Sequence, residues 1–444
     1  MRQRGRFDRW LILARRHGPA APIWRRRAAI LAGAILLGLV ALFFAKAADW
    51  ANHLFLGLYR QEKWAPLLLT PAGFGALVWF TRRVAPDARG SGIPQIMVAR
   101  ADPDGALTSL TSARTAIVKF GITIGGLLIG ASVGREGPTV QISATIMAYA
   151  HRLFRVPIRA SVMVAGGAAG VAAAFNTPLA GVTFAIEELA AAYEQRMTLL
   201  VMAAVLISGM VSLGLAGDYV YFGAMTDTLP LKQALLVTPV AGVLGGLTGG
   251  AFARLMLDFS RSQRRPLAWL RSHPVLTAIF AGAVVAGVGC TTGLTWGTGY
   301  EPARLLIIGA DAPTWFGPAK FLATLATAVS GLPGGIFAPS LATGAGLGDI
   351  LRAIFPLIAA GPVVLLGMVG YFTGAVRAPL TAVVIISEAT ASHGLLLPLL
   401  ATALIADATA SLICRERLYH GLAKAFRPKE TARPDAGSLS PEQP

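Results

Sequence analysis

The stretch GREGP, Gly134 to Pro138, stands 201 residues ahead of GIFAP, Gly335 to Pro339 (335 − 134 = 201), and the reading of that pair decides the fold. At the same shift, without a gap, Lys119-Phe120 falls on Lys320-Phe321, Thr123 on Thr324 and Gly130 on Gly331. Further along, Gly166 falls on Gly367, Pro178-Leu179 on Pro379-Leu380 and Glu187 on Glu388. Single matches of Gly or Leu arise by chance. One register kept through about seventy residues, lysines and prolines included, indicates two halves sharing one fold.

Composition places both halves in a membrane. Of 444 residues, 55% are hydrophobic and 14% charged, and mean hydropathy is +0.61; soluble domains carry nearer a quarter charged residues. Apolar tracts recur from Ala28 to the neighbourhood of Cys414, with no polar block long enough for a soluble domain. This predicts one multi-pass, all-α membrane domain over 28–426, its repeats at approximately 60–220 and 235–420. The 39 Lys and Arg against 22 Asp and Glu cluster at the ends of apolar tracts, which fits anchoring and orientation in a lipid bilayer better than nucleic-acid binding. Residues 1–27 read as a basic cytoplasmic tail, followed by an uncleaved first helix starting AAILAGAILLGLVALFF. Residues 427–444, rich in Pro and polar residues, read as a disordered tail. Cys290 and Cys414 fit no metal spacing and read as packing residues.

The prolines interrupt the helices. From Pro138 to His151-Arg152, and again from Pro339 to Arg352, is 13 residues, about 20 Å of helix against roughly 30 Å of hydrocarbon. If each basic end sits at a surface, each N-terminus lies inside the membrane; a tilted or kinked full span is the alternative. Pro suits the first turn because its missing N–H is one left unbonded there, and a neighbouring glycine such as Gly137 leaves the free amides uncovered. Those amides, with the positive end of the helix dipole, favour an anion. GSGIP (Gly90 to Pro94), GREGP and GIFAP all have this form. The cargo expected from them is a small inorganic anion.

These segments, with GGIFAPS, FNTPLAGVTFAIEE (Phe175 to Glu188) and RLYHGL (Arg417 to Leu422), resemble the signature segments of the CLC family of chloride channels and proton-coupled chloride exchangers. The resemblance runs from Ala28 to Phe426 with the segments in family order. It implies many tilted and partial helices in two inverted halves, a homodimer with a pathway in each subunit, and no cofactor, the transported ions being chloride and protons. It also implies the cytoplasmic (inner) membrane of a prokaryote, since the regulatory nucleotide-binding modules of many eukaryotic members are missing from this sequence. Carried over by position, Ser91 offers a hydroxyl to a central chloride, with Gly92 and Ile93 in the same turn. Ile336 and Phe337 offer backbone N–H groups, and Tyr419 a second hydroxyl. Neutral donors replace part of the hydration shell without holding the ion as tightly as a full charge would in so low a dielectric. Without the resemblance, Ser91 reads equally as a helix N-cap and Tyr419 as an interfacial aromatic.

Glu136 falls on Phe337 in the second half and Glu188 on Ala389, so neither carboxylate is required by the shared fold. Amides that bind chloride accept a carboxylate equally, so Glu136 is expected to compete with chloride as a gate and, once displaced toward outer water, to take a proton and leave the site to the anion. Glu188 resembles the inner proton-transfer glutamate of the exchanger branch, where channel members usually carry an uncharged residue; the alternative is an acid marking a helix end at the surface. Glu187, matched by Glu388, is the better structural candidate. Arg135 and Lys119 are the expected counter-charges, although Lys320 at the position equivalent to Lys119 argues equally for a structural role.

Other classes fit less well. GASVG (Gly130 to Gly134) is literally G-x-S-x-G, and His151 lies downstream. The nucleophile elbow needs a strand, a turn and a helix, whereas Ser132 sits in a glycine-rich helical run, so no enzyme is expected. His151 beside Arg152 reads as an interfacial cation. Among transporters the rivals are a passive, voltage-gated-type chloride channel and exchangers for fluoride or nitrate. Serine at position 91, where nitrate-preferring members tend to carry proline, favours chloride. Thr177 and Ala382 depart from common family residues away from the proposed ion contacts.

Overall fold

The protein, seen in a computed structural model, is described over residues 20–190, 195–217, 220–392 and 394–427. Residues 1–19 of the expected basic tail, and the expected C-terminal tail beyond Arg427, lie outside the described residues. Among the described residues the structure is helical, with no strand beyond a single bridge.

The first half contains α1 (Ala20–Gln61), α2 (Pro66–Val84), α3 (Ile93–Ala99), α4 (Pro103–Ala106), α5 (Ala113–Leu128), α6 (Glu136–Leu153), α7 (Ala160–Phe175), α8 (Pro178–Phe184) and α9 (Gln195–Ala216). The second contains α10 (Leu231–Arg261), α11 (Arg265–Ser272), α12 (Pro274–Thr292), α13 (Tyr300–Ile307), α14 (Phe316–Val329) and α15 (Phe337–Ile354). It continues with α16 (Ala360–Val376), α17 (Pro379–Thr390), α18 (Leu396–Ile413) and α19 (Leu418–Ala423). Proline opens α2, α8, α12 and α17, where its missing N–H costs nothing.

α1 is 42 residues long, about 63 Å at 1.5 Å per residue, so it exceeds the hydrocarbon thickness and must tilt or project beyond it. It begins at Ala20, which draws Arg25, Arg26 and Arg27 into the helix. Among the described residues four helices are long and apolar enough to cross a bilayer, over Ile23–Gln61, Leu231–Arg261, Pro274–Thr292 and Leu396–Ile413. Their outward faces carry exposed Leu, Phe and Trp such as Phe43, Leu235, Phe280 and Leu412, which only a lipid solvent makes favourable.

The internal repeat is visible in the backbone. α5 to α9 recur as α14 to α18, and the starts of α6 and α15 are 201 residues apart (337 − 136). Gly130 and its mate Gly331 hold φ of 80° and 81°, a left-handed conformation that glycine adopts without steric cost. Asn176 and its mate Arg377 likewise end α7 and α16 at φ 56° and 66°. The halves meet by exchanging equivalent contacts. The Gly134 N–H donates to the Gly335 carbonyl at 2.8 Å, and the Gly335 N–H returns the bond to Gly134 at 2.8 Å. An exchange between repeat mates places an approximate two-fold axis between them, as inverted halves require.

The same axis relates two carboxylates. Glu187 accepts from the N–H groups of Leu380 (2.9 Å) and Thr381 (2.6 Å) at the start of α17, and from the Thr381 hydroxyl. Glu388 accepts from Leu179 (3.1 Å) and Ala180 (2.8 Å) at the start of α8. Each half therefore caps a helix of the other, as the match between Glu187 and Glu388 suggested. Away from water the first-turn amides have few alternative acceptors. Glu388→Ala, which leaves two of them unmatched, is expected to destabilise the protein by about 1–3 kcal/mol, read as a lower unfolding temperature in detergent. An unchanged temperature would refute the capping role.

Candidate functional site

The Gly134–Gly335 exchange settles where α6 and α15 begin. Both helices have 18 residues, longer than the 13-residue step from proline to basic residue, because each starts two residues before its proline and runs on past its basic residue, to Leu153 and Ile354. That is about 27 Å, close to a full span by length alone. Their starts nevertheless face one another across the two-fold axis, so the first-turn amides converge inside the protein.

Glu136 is the first residue of α6 and is 0% exposed. Its side chain turns back over Gly134 and reaches the first turn of α15, where Oε2 accepts the Ala338 N–H at 3.4 Å and Oε1 has no partner among the described residues. A carboxylate thus lies against the amides expected to serve an anion, with Ala338, unnamed in the sequence reading, as the donor. Ile336, the N-cap of α15, and Phe337, its first residue, are both buried there. The Phe337 ring packs against Phe372 (centroids 4.9 Å), Phe184 (5.7 Å) and Tyr419 (6.0 Å), which fixes the helix start in an aromatic shell.

Ser91 lies on the other side of the same turn. A Cβ on Gly137 would stand 2.4 Å from Ser91 Oγ and 2.8 Å from its carbonyl, so the GSGIP and GREGP turns are in contact. The hydroxyls of Ser91 and Tyr419 are buried and near each other, and neither makes a hydrogen bond of good geometry among the described residues. Two lone donors aimed into one region suit an anion. Ile93 opens α3 and is buried. The Gly92 amide, expected beside Ser91, is instead taken by Gln95 Oε1 at 3.1 Å, so it is not free for an anion. Gly137→Ala is expected to push Ser91 aside and weaken chloride binding by about tenfold, the equivalent of about 1.4 kcal/mol, measurable by isothermal titration of the detergent-solubilised protein with chloride. Wild-type affinity would show that Ser91 is not part of the site.

Two cavities approach this region. One of about 310 Å³ is lined by Arg82, Arg89, Ser91, Arg271, Ile336 and Tyr419. Another of about 640 Å³ is lined by Lys46, Asp49, Arg60, Arg135 and Glu301. The larger flanks the C-terminal part of α1 and the smaller the C-terminal end of α2, which runs back after the turn at 62–65, so they lie toward opposite surfaces. Glu136 lines neither. Arg82, Arg89 and Arg271 give the smaller cavity a positively charged lining, which favours anions over cations.

The expected counter-charges separate. Arg135 is buried and bonds Asp49 at 2.6 Å and the Ala45 carbonyl at 2.7 Å, so α1 holds it beside Glu136. Asp49, missed in the sequence, is the one acidic residue within α1. Lys119 is buried in α5 with no partner for Nζ among the described residues, whereas Lys320 donates to the carbonyls of Thr295 (2.9 Å) and Gly297 (2.8 Å). Neither geometry brings Lys119 to Glu136. Cys290 and Cys414 are unbonded thiols, and no group able to hold a metal occurs among the described residues.

Glu188 lies on a π-helical turn, Ala185–Leu189, after α8. Such single turns are frequent at functional sites. Its side chain is 0% exposed, so it does not mark a surface helix end, and His420 Nδ1 stands 3.5 Å from Oε1. Ser132 and His151 are not brought together: Ser132 bonds Thr324 at 3.0 Å, His151 Nδ1 the Met147 carbonyl at 2.9 Å. His151 is buried, not interfacial, because α1 and α7 pack over that end of α6.

The short helix α19, which carries Tyr419, is tied down by Glu416, paired with Arg261 and, at 2.9 Å, with Lys424. The hydrogen bond from Arg261, followed by Lys424, lowers the Glu416 carboxyl from 4.5 to about 2. A carboxyl lowered on folding contributes stability above its unfolded value and loses it as pH falls through the folded one. The difference in unfolding temperature between wild type and Glu416→Gln is therefore expected to hold above pH 4.5 and shrink between pH 4.5 and about 2.

With this arrangement in hand, residues 72–411 match the voltage-gated chloride channel family. The chain belongs to that family. Its members are transporters rather than enzymes, in keeping with the dispersed Ser132 and His151. Solved CLC structures share the fold. A slow cyanobacterial Cl⁻/H⁺ antiporter superposes with a TM-score of 0.75 at 24% identity, covering 90% of this chain and 98% of its own. A eukaryotic CLC transporter gives 0.71 at 24% identity, covering 91% and 75%. A CLC-type fluoride/proton antiporter gives 0.73 at 21%, covering 87% and 95%. At these identities the likeness is one of fold.

Proposed function

We propose that this protein exchanges chloride for protons, with Glu136 as the gate that competes with the anion and Glu188 as the inner proton-transfer group. The observation that carries the reading is the Glu136 carboxylate lying against the first turn of α15, at the Ala338 N–H. Chloride and that carboxylate seek the same donors, so the site takes one or the other. When chloride approaches through the cavity at Ser91 and Tyr419, Glu136 is displaced toward Arg135 and the larger cavity, where water can protonate it. The neutral acid no longer competes, and chloride occupies the amides of Ile336, Phe337 and Ala338 with the hydroxyls of Ser91 and Tyr419. Return of the side chain and release of its proton inward to Glu188 expels chloride outward. Opposite movement of the two ions then follows from a single competition.

Neutral donors in a low dielectric bind a halide reversibly, and the two lone hydroxyls support chloride as the cargo. We further infer a homodimer in the inner membrane, which chemical cross-linking in native vesicles tests. For the exchange itself the test is flux in proteoliposomes with a chloride gradient and no proton gradient. Uphill proton movement is the expected result. Chloride flux without it would make the protein a passive channel.

A further inference from the structure

We propose that His420 is the group that passes protons between Glu188 and water, making α19 a shared wall between the chloride and proton routes. The inference rests on the exchanger reading above.

Glu188 has no exposed surface, and neither carboxylate oxygen has a hydrogen-bond partner among the described residues. A carboxyl so placed exchanges protons only through another group. Arg100 donates to the Leu189 carbonyl, Arg417 to the Glu187 carbonyl at 3.3 Å, and a guanidinium has donors but no acceptor with which to relay a proton. The Glu187 carboxylate is occupied at the start of α17, and the Tyr419 phenol faces the anion region. Among the described residues these are the charged and titratable groups around Glu188, with His420 as the remaining one. Its imidazole has one nitrogen that accepts a proton and one that donates, as a relay needs.

The geometry fits a relay. The His420 side chain is 45% exposed while its Nδ1 stands 3.5 Å from Glu188 Oε1, so one ring reaches water and the buried acid together. A small ring rotation brings that distance into hydrogen-bond range. Successive residues of a helix point about 100° apart, which turns Tyr419 toward chloride and His420 toward Glu188. In the step proposed, the protonated Glu188 carboxyl gives its proton to Nδ1 while Nε2 gives its own to water. The Glu188 O–H and Nε2–H bonds break, an Nδ1–H bond and a hydronium O–H bond form, and the neutral ring returns to its first tautomer by exchanging protons with water; the reverse sequence loads Glu188 when the gradient runs the other way.

The test measures protons moved per chloride for the full-length protein in proteoliposomes, with wild type, His420→Ala and His420→Asn. Asparagine keeps a polar side chain without titrating. Both variants are expected to lower the ratio by about tenfold, a modest loss for a proton-transfer group. Adding free histidine, a zwitterion that does not cross the bilayer, on both sides should restore much of it, and equal glycine should not. A structural role for the imidazole would not respond to a diffusible one. Wild-type ratios in both variants, or a loss that histidine leaves untouched, would overturn the inference while leaving exchange intact. Wild-type protein that moves chloride without protons would overturn the exchanger reading, and this inference with it.

Discussion

Glu136→Ala is expected to abolish proton transport completely while chloride continues to run down its gradient. The side chain lies against the Ala338 N–H with Oε1 unpartnered, and no other carboxylate approaches the first turn of α15 among the described residues. On the mechanism proposed above, its removal takes away the competitor and the proton carrier together. Chloride then meets amides and hydroxyls with nothing to displace, so its flux should no longer respond to a proton gradient. Glu136→Gln separates the two roles: it keeps the volume, loses the charge and carries no proton, so it should also fail to pump. Paired chloride-electrode and pH recordings from one vesicle population decide the matter. Proton uptake that survives in Glu136→Ala would remove this residue from the mechanism.

Glu188→Gln should be nearly as severe for protons and mild for chloride. The side chain is fully buried on a π turn, and it touches α19 at His420, whereas chloride is assigned to Ser91, Tyr419 and the start of α15. The amide fills the same space but cannot relay a proton, so proton flux should fall by at least ~100-fold, with chloride flux within about a factor of two or three, the scatter expected of a non-contacting substitution. The informative comparison is with Glu187→Gln, one residue earlier. Glu187 is held by Leu380 and Thr381, so its replacement should lower stability without altering the number of protons moved per chloride. Equal coupling in wild type and Glu188→Gln would show that protons take another path.

How much of this was legible in the chain depends on the distance between partners. The repeat was readable because α6 and α15 keep one register, and the pairing of Glu187 with Glu388 followed from it as a structural expectation. The same register does not reach α2 and α12, whose starts differ by 208 residues (274 − 66), so a fixed shift loses the symmetry at its edges. The helix starts lay two residues ahead of the prolines, since the first turn tolerates proline at more than one place. Gly92 held a readable signal that was passed over: Gln95 three residues on is the spacing of a capping side chain, and it occupies the amide assigned to an anion. Asp49 and His420 were not readable in that way. They meet Arg135 and Glu188 from 86 and 232 residues away (420 − 188), and no local period encodes such contacts.

The reciprocal capping across the two-fold axis bears on how such a chain is made. When the first half has entered the bilayer, the amides at Leu179 and Ala180 still await Glu388, and Glu187 still awaits α17. Neither half is a finished fold, so a ribosome synthesising this chain must carry an incomplete intermediate through the translocon until the second half arrives. An ancestor encoding one half alone would have needed copies inserted in both orientations, each completing its opposite. One polypeptide carrying both halves needs no such search.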